Sequence, residues 1–143
     1  MSAQGLQVID HTVHLTHEWI NELTERLGWT HQKDALRLMR VVLHQVRDHL
    51  HPDELAQFSA QLPLLIRGMM FEGWMPKNTP VHQRSVDAFV AEVEKLVDGV
   101  LDYRGAEDIQ AVFKLLNARI SRGETDDIRA NLPAPIRDLW PAA

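Results

Sequence analysis

A shift of 70 positions lays residues 35–70 over residues 105–140 without a gap, and this internal match restricts the fold more tightly than any other property of the chain. Val42 meets Val112, Glu54 meets Glu124 and Ala60 meets Ala130, while Leu62, Pro63, Ile66 and Arg67 meet Leu132, Pro133, Ile136 and Arg137. Where identity is lost, apolar character stays: Met39 with Ile109, Leu43 with Phe113, Val46 with Leu116, Leu50 with Ile120, Phe58 with Ile128. A repeat of this period is one supersecondary unit that buries its apolar face against a neighbour. The reading is an all-α fold: two tandem diverged helical repeats of about four helices each, packed into one compact, bundle-like domain. The expected boundaries are 6–73 for the first repeat, 74–84 for a linker and 85–140 for the second, within a single domain 1–143.

Hydrophobic spacing supplies the helices. Ile9, Val13, Thr16, Ile20, Leu23 and Leu27 alternate by four and three and share one helical face, which Gly28 is expected to end. Thr30 is a predicted N-cap for a second helix, with Ala35, Met39, Val42, Val46 and Leu50 as its stripe, broadened by Leu36 and Leu43. Pro52 suits a first helical position, and Asp53 and Glu54 then complement the helix dipole of a short third helix. Pro63 reads as a sharp corner into a fourth helix, closed by Gly73, and the turn formers from Gly73 to Pro80 mark the linker. Ser85 is a predicted cap for a helix carrying Val86, Phe89, Val90, Val93, Leu96, Val97 and Val100. Ile109, Val112, Phe113, Leu116 and Ile120 trace the next helix, with Gly123 as its expected stop, and Leu132-Pro133 opens a last helix ending near Trp140.

Composition narrows the function classes. The chain has 143 residues and no cysteine, which removes thiol chemistry, disulfides and cysteine-held metals and fits a reducing, cytoplasmic compartment. Met1–Asp10 lacks the basic start and apolar core of a signal peptide, and no stretch is long and apolar enough for a membrane span. Net charge is −5, with neither a basic stripe nor an arginine-rich run, so no nucleic-acid partner is expected. Charge is uneven, −1 over residues 1–84 and −4 over 85–143, and all eight histidines fall in the first part. Mild acid therefore makes the two parts opposite in sign, which allows a pH-responsive interaction.

Three stretches carry a family resemblance: ALRLMRVVLHQVRDHL, then AQLPLLIRGMMFEGWMP, and at the end SRGETDDIRANLPAPIRDLWP. With its repeated leucine-proline units and the glycine-tryptophan loop between them, the chain resembles the bacterial family called domain of unknown function 2267 over nearly its whole length. The resemblance implies an all-helical fold and a bacterial cytosolic origin, and it brings no established activity, cofactor or catalytic residue. Aromatic residues, often tyrosine, occupy the family positions of Met70 and Phe71, so Met70 departs from the pattern.

The chemistry-bearing constellations are sparse. His14 with Glu18, and His44 with Asp48 and His51, return to one helical side at spacings of four and seven and mix imidazole with carboxylate as zinc or iron sites do. The alternative is that they are ordinary polar positions of amphipathic helices, since no HExxH is present. Asp53-Glu54 and Asp126-Asp127 are adjacent and point to different sides, unlike a catalytic carboxylate pair. No nucleophile elbow, phosphate loop or dinucleotide fingerprint occurs, so neither a catalytic residue nor a cofactor is assigned. Arg67 and Arg137 either lie over the core and meet a carboxylate or a helix C-terminus, or contact anions or partners. Phe71, Trp74 and Met75 either plug the gap between the repeats or present an adaptable surface to a partner protein or a second copy. The leading expectation is a non-enzymatic helical binding or assembly protein; the alternative is a histidine-based metal-binding protein or metal-dependent enzyme.

Overall fold

The computed structural model describes residues 5–143, so residues 1–4 of the Met1–Asp10 stretch lie outside the described part. Eight α-helices and no strand make up the described residues: α1 Gln7–Leu27, α2 Gln32–Asp48, α3 Pro52–Ala60, α4 Leu64–Met70, α5 Val86–Leu96, α6 Ala106–Arg119, α7 Arg122–Ala130 and α8 Ala134–Arg137, with one 3₁₀ turn at Pro76–Asn78. No helix among them is long and apolar enough to cross a membrane.

Several ends follow from local chemistry. Gly28 stops α1 at φ 69°, a left-handed backbone that glycine adopts without a Cβ penalty. Pro52 opens α3 with Asp53 and Glu54 in its first turn, and Ser85 caps α5 by accepting from the Ala88 amide at 3.3 Å. Other ends differ from the sequence reading. His31, not Thr30, stands at the start of α2, with no side-chain cap. α4 stops at Met70, three residues before Gly73, which turns the chain at φ 73°. Gly123 lies inside α7 rather than closing α6, because Ser121 caps α7 two residues earlier through the Glu124 amide.

Every helix contributes to one continuous core. α1 packs on α6 and α2 on α5, so the first long helix of each half lies on the second long helix of the other. The matching helices α2 and α6 also touch, as do α3 and α7, while α1 meets α4 and α5 meets α8. Trp140 is fully buried and stacks on Phe113, ring centroids 4.5 Å apart and planes within 2°. Its Nε1–H donates to Asn117 Oδ1 at 2.9 Å, and the Asn117 amide nitrogen donates to the Pro141 carbonyl, which ties the C-terminal segment to α6.

The apolar face of α1 enters this core only from Thr16 onward. Ile9 and Val13 share the face but are exposed, as are Leu6 and Val8 beside them. The start of α4 reaches α1 at Thr12, whose Oγ accepts from the Leu65 amide at 3.0 Å, and Leu64 and Leu65 are themselves exposed there.

Candidate functional site

The two Leu-Pro corners are built alike. Pro63 and Pro133 precede their helices at φ −52° and −53°, and Ile66 and Ile136, three residues on, are fully buried, with Leu62 and Leu132 also in the core. Arg67 donates from Nε to the Ser59 carbonyl at 2.9 Å and from Nη2 to the Ala60 and Leu62 carbonyls. Arg137 does the same with the Arg129, Ala130 and Leu132 carbonyls. The Ser59, Ala60, Arg129 and Ala130 carbonyls close α3 and α7, and those of Leu62 and Leu132 follow in the corner, so each guanidinium serves the C-terminal end of a helix.

Sequence reading missed a cationic row on α2. Lys33, Arg37, Arg40, His44 and Arg47 recur at spacings of four, three, four and three and so share one side of the helix. The same spacing is visible in the sequence, where the apolar stripe beside it dominates the pattern. Lys33, Arg37, Arg40 and His44 line a groove on α2, with Leu36 and Val41 on either side of the row. The lower end of the row fastens the loop that follows α4. Arg47, nearly buried, donates from Nη1 to the carbonyls of Met70 and Glu72 at 2.8 and 2.7 Å and pairs through Nε with Asp48 at 2.8 Å. His44 Nε2 donates to the Met69 carbonyl at 2.7 Å, and Arg40 pairs with Glu72 at 2.6 Å. Burial holds the His44 imidazole below its ordinary value; the hydrogen bond to Met69 opposes this, and the charges of Arg47 and Arg40 add to it.

Within that loop Phe71 and Trp74 meet edge to face at 5.3 Å, both half-buried against the core, while Met75 is exposed. Trp74 Nε1 is buried and has no acceptor among the described residues. Of the proposed metal ligands, His14 and Glu18 lie 3.6 Å apart on the exposed side of α1, His44 is turned to the Met69 carbonyl, Asp48 is paired with Arg47, and His51 stands at the start of α3. No three histidine or acidic side chains converge on a metal-sized space among the described residues.

A family model described as an uncharacterized conserved protein, DUF2267, matches residues 16–139. The chain belongs to the DUF2267 family. The DUF2267 match begins at Thr16, the first buried residue of α1, and leaves out the exposed apolar residues Leu6, Val8, Ile9 and Val13. It takes in both corners, the cationic row of α2 and the loop from Phe71 to Met75. Comparison with curated proteins gives no match.

Proposed function

We propose that this DUF2267 protein is a non-enzymatic helical binding protein that takes an acidic amphipathic helix of a partner protein along the exposed side of α2. The groove on α2 lined by Lys33, Arg37 and Arg40, with Leu36 and Val41 on either side of them, carries this reading. Carboxylates along the face of such a helix meet the cations, and apolar side chains beside them meet Leu36 and Val41. Arg40 and His44 border the groove and also hold Glu72 and Met69, so the loop with Phe71, Trp74 and Met75 lies at its end and offers Met75 as an adaptable apolar contact. Arg37 already donates to the Leu96 carbonyl at 3.2 Å and Arg40 to Glu72, while Lys33 has no such partner among the described residues and stands open to an incoming carboxylate.

The matched corner geometry supports the view that the chain is two diverged repeats, 6–73 and 85–140, joined by 74–84 in a single domain. On that view the cationic groove belongs to the first repeat alone: Lys33, Arg37, Arg40 and His44 have Tyr103, Glu107, Gln110 and Lys114 at the shifted positions. The cysteine-free sequence fits a bacterial cytoplasmic setting.

Titrating labelled protein with a model peptide of alternating leucine and glutamate faces, followed by backbone NMR, tests the proposal. Saturable shifts are expected in residues 33–44 and 71–75, with binding lost in Lys33→Glu/Arg37→Glu. Equal binding of a lysine-faced peptide, or none of the acidic one, overturns it. Light scattering on the protein and on Trp74→Ala checks for self-association: a dimer broken by the groove variant reassigns the occupant to a second copy.

A further inference from the structure

On another face, the segment 80–84 crosses the corner between α7 and α8 and encloses a half-open cavity of about 500 Å³. This lies within the size range of small-ligand sites. Five of the eleven residues around it are histidine or arginine, namely His49, His51, His82, Arg84 and Arg137, and none is acidic. The segment is held in place by the Val81 amide, which donates to the Asp48 carbonyl at 2.8 Å, so the cavity wall is tied to the end of α2.

The donors that face this space are largely uncommitted. The side chains of Arg84, His51 and His82 make no hydrogen bond or ion pair with any described residue. Arg137 spends Nε and Nη2 on its corner, leaving Nη1 unused. His49 is more than nine-tenths buried, its ring tilted against Phe89 at 5.4 Å, and its Nδ1–H donates to the Gln45 carbonyl at 2.7 Å, which leaves Nε2 without a partner among the described residues. Pro80, Leu132 and Pro133 complete the wall with apolar surface. At the shifted positions His49 and His51 become Arg119 and Ser121, so this histidine-rich wall has no copy in the other half.

We propose that the cavity binds a small phosphate monoester, its dianionic head held by Arg84 and Arg137 with His51 and His82 beside them, and its organic body against Pro80, Leu132 and Pro133. The Arg84 guanidinium matches phosphate oxygens in charge and in fork geometry, Arg137 adds its charge and its Nη1 donors, and the imidazoles add donors around the same head. A lone carboxylate would leave most of these donors unpaired.

Phenyl phosphate is a suitable probe, with benzoate as the control that keeps the ring and changes the head. Side-chain NMR of the full chain is expected to show saturable shifts of His49, His51 and His82 on adding phenyl phosphate, with His14, His17 and His31 unmoved. Arg84→Gln, at an exposed position that bonds to nothing in the fold, is expected to weaken binding by roughly tenfold while the circular dichroism spectrum stays the same. Three results overturn the proposal: no saturable shift at millimolar probe, equal shifts of all histidines, or unchanged affinity in Arg84→Gln. Benzoate binding as tightly as phenyl phosphate overturns the assignment to phosphate.

Discussion

Arg67 and Arg137, seventy residues apart, hold their corners by the same three donations, each to carbonyls eight, seven and five positions upstream. A planar guanidinium can reach all three acceptors at once because its donors are fixed in a fork. Lysine presents a point charge on a flexible stem and satisfies about one of them. Arg67→Lys and Arg137→Lys are each expected to lose about 1–3 kcal/mol of unfolding free energy in urea titration. The arginines share no acceptor, so the double variant should lose close to the sum. A loss confined to one corner would show that the two clasps differ in weight.

The parts of this fold that were legible in the sequence are those in which one residue decides a local geometry. Gly28 must end α1 because the next turn needs a left-handed backbone, Pro52 fits only a first turn, and Ser85 supplies the acceptor that the Ala88 amide lacks. Less legible were choices settled by tertiary contact. Ile9 and Val13 continue the stripe of α1, and periodicity cannot tell that the core begins only at Thr16. Gly123 looked like a stop because glycine is permissive, yet the Ser121 cap fixes the start of α7 before it. Of the site, the corner residues and the loop at Trp74 were visible as motifs, but the partners of His44 and Arg47 on α4 and its loop were not, since they lie some 20 or more positions away. The cavity at Arg84 was hidden for the same reason, since segment 80–84 read as linker and its far wall is α7–α8.

Trp140 anchors the C-terminal segment by two independent means, its stack on Phe113 and its hydrogen bond to Asn117. Trp140→Phe keeps most of the stack and leaves Asn117 Oδ1 without its donor, for an expected cost of about 1–2 kcal/mol. Trp140→Ala opens a cavity beside Phe113 and should cost about 3–5 kcal/mol. Thermal unfolding of the two variants separates the polar from the packing contribution.

Asp108 is fully buried near the start of α6 and accepts from the Arg104 amide at 2.5 Å and from Arg104 Nη2 at 2.7 Å. The same Nη2 donates to the Leu27 carbonyl, so this pair joins the end of α1 to the entry of α6. Asp108→Asn replaces one acceptor by a donor facing the guanidinium and the Arg104 amide. It is expected to lose about 1–3 kcal/mol in urea titration. Arg104→Gln leaves a buried carboxylate without its counter-charge and should lower the midpoint too. If neither variant moves the midpoint, the pair is not what fastens α1 to α6.

His44 gives the fold a dependence on pH whose sign follows from its environment. Its folded-state value lies below the ordinary 6.5, chiefly because burial penalises the imidazolium, with Arg47 and Arg40 adding repulsion against the pull of the Met69 carbonyl and Glu72. Above about pH 6.5 the ring is neutral in both states, and its hydrogen bond to Met69 stands. As pH falls below that value the unfolded chain takes up a proton before the folded one, so stability falls with falling pH until the folded-state value is passed. The contribution cannot exceed about 1.4 kcal/mol per pH unit. His44→Gln retains an amide that can donate to the Met69 carbonyl and removes the titration. The fall in urea midpoint between neutral and mildly acidic pH should therefore be shallower in His44→Gln than in the parent. Parallel curves would mean that His44 does not carry the difference.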